Sequence, residues 1–132
     1  MSPHMLHLLI VAAGGAVGAG GRHLVNLAAL RIFGPGFPWA TLVVNVVGSL
    51  AMGLFIGGLV KWGEAASAQS LRLFVATGVL GGFTTFSAFS LDFAALWERG
   101  SVMAAFGYVL SSVAISLLAV FAGLWIMRGF EP

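Results

Sequence analysis

The sequence contains no cysteine, which excludes a disulfide framework, a thiolate metal site and a thiol nucleophile. Charge is almost as scarce: six Lys/Arg and four Asp/Glu make up 8% of 132 residues, against about 25% in an ordinary soluble domain. No carboxylate occurs before Glu64. A four-helix proton-coupled multidrug antiporter exchanges protons on a buried carboxylate, and the first two spans of this chain offer none. The three histidines, His4, His7 and His23, lack the spaced partners of a hydrolase triad or a metal site. An enzyme is therefore not expected. The sequence pI is near 10.0, but its basic residues are scattered rather than gathered into a patch for nucleic acid or anionic lipid.

What is present is apolar. Sixty per cent of the residues are hydrophobic and the mean hydropathy is +1.06, which places the chain in a lipid bilayer as an all-α, multi-pass protein. A hydrocarbon core about 30 Å thick takes ~20 apolar residues per helical crossing, so the length accommodates four crossings in one domain over residues 1–132. Apolar runs and breakers predict spans at about 5–30, 39–60, 71–96 and 102–127. The opening Met1-Ser2-Pro3-His4 lacks a basic n-region and the first run is too long for a signal-peptide core, so a retained span is expected. Trp39, Trp62, Trp97 and Trp125 fall near span ends, where amphipathic rings anchor at headgroup level.

Lys61, Arg72 and Arg128 fall on one side of such a bundle and Arg31 and Arg99 on the other. So even a balance gives weak orientation instructions and permits insertion both ways, as an antiparallel dual-topology homodimer with an axis in the membrane plane. Nineteen glycines are about twice the average share, and Gly14/Gly18 and Gly53/Gly57 have the four-residue spacing that lets helix backbones approach closely in lipid.

Polar groups at membrane depth are the candidates for function. Asn45 stands inside Leu42-Val43-Val44-Asn45-Val46-Val47. Its amide is either an uncharged donor to an anion or interhelical glue, and the sequence leaves both open. The third span carries Gly81-Gly82-Phe83-Thr84-Thr85-Phe86-Ser87-Ala88-Phe89-Ser90, poor helix formers that predict a break near the bilayer centre. Freed carbonyls there need a donor or a cation, and in a two-fold dimer those of both copies could converge on one ion. Phe86 and Phe89 share a helix face. Their ring edges carry the positive end of the quadrupole and can contact an anion, although packing is the common role of such rings. Tyr108, Ser112 and Ser116 recur at intervals of four with Ser111 alongside, a polar stripe that is either a donor track or a set of self-bonded serines. Asp92 falls nearer a vestibule mouth.

Three segments together, Gly14-Gly15-Ala16-Val17-Gly18-Ala19-Gly20-Gly21-Arg22, Thr41-Leu42-Val43-Val44-Asn45-Val46-Val47-Gly48-Ser49 and Gly81-Gly82-Phe83-Thr84-Thr85-Phe86-Ser87, resemble the Fluc (CrcB-type) fluoride channels. The resemblance implies an inner-membrane, dual-topology antiparallel homodimer with two pores that exports cytoplasmic fluoride passively and gives fluoride resistance. It implies that Asn45, Phe86, Phe89, Ser87, Tyr108, Ser112 and Ser116 contact fluoride along the pore, and that Arg22 sits at a vestibule. It also implies that the backbone carbonyls of Gly81 and Thr84 hold a structural Na⁺ shared by both subunits. Ala88, His23 and Asp92 depart from the family pattern, where a threonine, an aromatic and a longer Glu are common. The alternative readings are a proton-coupled small-ion transporter and an accessory membrane subunit whose glycines only pack against a partner.

Overall fold

The computed structural model describes residues 1–62 and 68–129, with Trp62 as backbone only; Glu64 and most of the polar stretch between the second and third spans lie outside the described residues. Helix α1 (Pro3–Phe33) starts where the Ser2 hydroxyl oxygen accepts the Met5 N–H at 3.2 Å and Pro3 presets the first turn. It stops at Gly34, whose φ of 76° only glycine adopts at no steric cost and whose N–H bonds the Leu30 carbonyl at 2.9 Å. Helix α2 (Trp39–Trp62) follows Pro38. The third span is composite: α3 (Ala68–Arg72), a π-helix (Leu73–Leu80), α4 (Gly81–Phe83), a break at residues 84–86, and α5 (Ser87–Glu98). A turn with Gly100 at φ 86° leads to α6 (Val102–Gly129).

Four segments are long and apolar enough to cross a membrane: Pro3–Phe33, Trp39–Lys61, Ala68–Glu98 and Val102–Gly129. Each reaches as far as or beyond the expected apolar run, because a helix continues through its polar ends until a cap or breaker stops it. Large side chains such as Leu24, Leu110 and Leu118 are about two-thirds exposed; in lipid no hydrophobic force drives them inward.

Glycine sets the packing. The spans form two tight pairs, α1 against the π-helix and α4, and α2 against α6. A Cβ on Gly18 would stand 1.9 Å from the Val79 carbonyl oxygen and 2.7 Å from the Phe83 nitrogen, and one on Gly14 would stand 2.5 Å from the Phe74 oxygen. In the second pair, a Cβ on Gly53 would stand 2.2 Å from the Val120 oxygen, and one on Gly123 2.6 Å from the Leu50 oxygen. At Gly14, Gly18 and Gly53 backbones therefore touch backbones, the contact that the four-residue glycine spacings predicted, whereas Gly57 faces the Met127 side chain. The eight-residue π-helix was not expected; its residues carry no local signal for a widened helix, and it lies along the Gly14–Gly18 face.

Among the described residues full enclosure is rare: Val44 on α2 is one case, and a small aromatic cluster is the other. Tyr108, Leu96 and Ala105 are at most 2% exposed and pack with Phe37, Leu42, Phe89 and Phe93. On that side Arg99 Nη2 donates to the Gly36 carbonyl and joins the two loops, and at the other end Lys61 donates to the Arg128 carbonyl at 2.9 Å and joins α2 to α6.

Candidate functional site

The break in the third span is the centre of the site. Thr84 turns the chain into extended backbone (φ −86°, ψ 163°), so the i→i−4 ladder stops and each freed group has to be accounted for. The Leu80 carbonyl accepts twice, from the Thr84 N–H at 3.0 Å and the Thr84 hydroxyl at 2.9 Å. The Thr85 N–H, which in a continuous helix would bond Gly81, goes instead to Asn45 Oδ1 at 2.9 Å, while Asn45 Nδ2 donates to the Thr85 carbonyl at 3.0 Å. The Ala88 N–H, the helical partner of the Thr84 carbonyl, goes to Thr85 Oγ1 at 3.1 Å. The Gly82 carbonyl is met by Arg22 Nε at 3.2 Å. Among the described residues no donor reaches the carbonyls of Gly81 and Thr84.

Three residues on two helices thus hold the break open. Asn45 grips the Thr85 peptide from α2, Arg22 satisfies Gly82 from α1, and Gly48 admits Thr84: a Cβ there would lie 2.3 Å from Thr84 Cγ2. The two readings left open for Asn45 are compatible in this geometry. One N–H and the oxygen are committed to Thr85, and one amide hydrogen remains.

An open cavity of about 530 Å³ lies between α2, the break and α6. It brings together Asn45, Ser49, Gly81, Thr84, Thr85, Phe86, Phe89, Ser112 and Ser116. The rings of Phe86 and Phe89 are 5.7 Å apart, and Phe86 is 78% exposed. Ser112 is buried, and neither its hydroxyl nor that of Ser116 has a partner among the described residues. Ser111 behaves otherwise, donating to its own i−4 carbonyl at Gly107 at 2.6 Å. Tyr108 is beneath the cavity, with Phe89 at 5.2 Å and Phe37 edge-on at 5.5 Å, and its hydroxyl donates to Asp92 Oδ2 at 3.0 Å. Ser87 is exposed and does not line the cavity.

Sequence reasoning missed Ser49 and the cradle at Gly48; Ser49 lies four residues after Asn45 and so shares its helix face, a legible signal. Among the described residues no group of three His, Cys, Asp or Glu side chains could hold a metal, so the oxygen donors available to a cation in the cavity are uncharged, main-chain carbonyls and side-chain hydroxyls.

The family model described as CrcB-like protein, Camphor Resistance (CrcB), matches residues 9–124. The chain belongs to this CrcB-like family. Its relatives include proteins named fluoride-specific ion channel FluC. The one from Mesorhizobium japonicum is 58% identical over 124 residues, 94% of this chain and 98% of its own. That from Sphingopyxis alaskensis is 56% identical over 124 residues (94% and 97%), and that from Hyphomonas neptunium 53% over 120 residues (91% and 94%). The family match spans the glycine face of α1, Asn45, the break and the α6 serines, so every group of this site lies within the CrcB-like region.

Proposed function

We propose that this chain is a multi-pass membrane channel, not an enzyme, that passes fluoride passively and selectively and so protects the cell from it. The observation that carries the reading is the cavity lined by Asn45, Ser112, Ser116 and the Phe86 and Phe89 rings, where Asn45 keeps one amide hydrogen and the two serine hydroxyls have no partner among the described residues; the names of the relatives support it. Fluoride is small, hard and strongly hydrated. A pore for it replaces water with compact donors and ring edges, and avoids a full positive charge that would trap the ion. HF enters from acid and ionises inside the cell, so an anion leak suffices for export at a negative membrane potential.

The working unit in this reading is an antiparallel dual-topology homodimer. An open cavity of mainly apolar lining that still holds unbonded hydroxyls and carbonyls leaves those groups unsatisfied in hydrocarbon at a cost of several kcal/mol each, which a second copy relieves. The Gly81 and Thr84 carbonyls fit a structural Na⁺ shared with that copy, because they are uncharged oxygen donors with no hydrogen bond of their own. Such an ion, held by these carbonyls, would supply fixed positive charge beside the cavity. Asn45 and Thr85 keep the two carbonyls free for it. Tyr108 backs the Phe89 ring, and Arg22 acts from the far side of the break.

Efflux from liposomes carrying the purified protein tests the reading: fluoride should leave and chloride should not, with no dependence on a pH gradient. Phe86→Ile keeps apolarity and removes the ring edge, so flux should fall while the dimer still assembles. Equal chloride flux, or proton-driven uphill flux, would overturn the proposal.

A further inference from the structure

The pairing of α2 with α6 has a fixed register. Gly53 packs on Val120 and Gly123, Gly57 packs on Leu124 and Met127 one turn later, and Lys61 reaches the carbonyl of Arg128, 67 residues on. The interval repeats from turn to turn, so the two helices run parallel and each turn of α2 keeps its own partner turn of α6. One turn before the Gly53 contact, this register sets Ser49 level with Ser116, and a further turn before it sets Asn45 level with Ser112; all four residues line the cavity. At Gly53 the backbones touch, because a Cβ there would stand 2.2 Å from the Val120 oxygen. Ser49 is therefore the last polar residue of α2 before the glycine seam closes.

The Ser49 hydroxyl is uncommitted. A serine inside a membrane helix commonly donates to its own i−4 carbonyl, as Ser111 does to Gly107 at 2.6 Å and Ser90 to Phe86 at 3.0 Å. Ser49 makes neither that bond nor another among the described residues, although the Asn45 carbonyl lies one turn back on its own helix and the Gly81 and Thr84 carbonyls border the same cavity. The Ser112 and Ser116 hydroxyl oxygens are also unbonded but enclosed within the wall, whereas Ser49 is half-buried and lines the open cavity. A hydroxyl left free in hydrocarbon is costly, so one kept free here calls for a partner from outside the chain. Asn45, on the same face, has its oxygen committed and one amide hydrogen left. The two donors stand about 6 Å apart along the helix axis.

We infer that the Ser49 hydroxyl is a second donor of α2 to the permeating anion, one turn along the helix from Asn45. This rests on the channel reading above and adds to its path a residue on the wall that faces Ser116. Permeation needs sites that bind in sequence and none that holds the ion. A neutral hydroxyl following a neutral amide meets that condition, and the backbone contact at Gly53 makes Ser49 the last donor that α2 can offer.

Threonine and valine differ only by a hydroxyl against a methyl group, so Ser49→Thr and Ser49→Val separate the donor from its volume. In liposomes Ser49→Val should lose fluoride flux by about tenfold or more, the scale of one lost hydrogen bond to a charged group, and Ser49→Thr should keep it within about threefold. Ser49→Ala removes the hydroxyl without adding bulk. Its flux should fall as that of Ser49→Val does, while its oligomeric state and its midpoint of unfolding in denaturing detergent stay those of the wild type, since no bond of the fold is lost. Ser111→Ala is the control: that hydroxyl is spent on its own helix, and flux should stay within about twofold. Three results would overturn the inference: wild-type flux in Ser49→Ala, equal loss in Ser49→Thr and Ser49→Val, or a loss in Ser49→Ala that comes with a changed oligomer or lower stability, which would make the hydroxyl a tie of the fold. If the wild type itself passes no fluoride, the channel reading fails first; wild-type flux with a silent Ser49→Ala removes only Ser49 from the path.

Discussion

Gly18→Ala tests whether the break is held by contact between backbones. The added Cβ would meet the Val79 oxygen at 1.9 Å and the Phe83 nitrogen at 2.7 Å. Restoring a carbon–oxygen separation of about 3.3 Å requires α1 and the third span to part by about 1.4 Å. Neither neighbour is a side chain that can change rotamer, so the cost falls at the upper end of overpacking, about 3 kcal/mol. Alanine returns roughly 1 kcal/mol of helix propensity, leaving a net loss of about 2 kcal/mol. Gly15→Ala is the matched control, because nothing lies within 4 Å of its Cβ and only the propensity gain of up to ~1 kcal/mol applies. The two variants should differ by about 3 kcal/mol in reversible mixed-detergent unfolding followed by tryptophan fluorescence. Gly18→Ala should also lose fluoride flux, since the displaced Phe83 nitrogen is two residues before Thr85. Equal stability of the two variants would refute backbone contact as the clamp.

Asn45→Asp keeps an acceptor for the Thr85 N–H but sets a carboxylate oxygen against the Thr85 carbonyl in place of the Nδ2 donor at 3.0 Å. It should destabilise by about 1–3 kcal/mol in the same unfolding assay and abolish flux, and a variant as stable as wild type would remove Asn45 from the support of the break. Arg22→Ala leaves the Gly82 carbonyl without its donor and should cost about 1–3 kcal/mol. If Arg22 served only to attract anions at a vestibule, stability would not change and the loss of flux would vanish at saturating fluoride.

The four crossings were legible residue by residue because transfer into lipid is nearly additive along a chain, so runs such as Val102–Met127 declare themselves without any knowledge of neighbours. The break was legible for a related reason: Gly81-Gly82 and Thr84-Thr85 weaken a helix wherever they stand. The close-approach glycines were visible as spacings, though not the atoms they would meet. Partnership was hidden. That Asn45 would grip Thr85 forty residues away, that Arg22 would turn to the Gly82 carbonyl rather than stand as a free charge, and that Leu73–Leu80 would widen into a π-helix along Gly14 and Gly18 all depend on distances between helices. Hydropathy is a property of single residues and accumulates along the sequence, whereas a hydrogen bond exists only where a donor and an acceptor come within about 3 Å, which folding alone arranges.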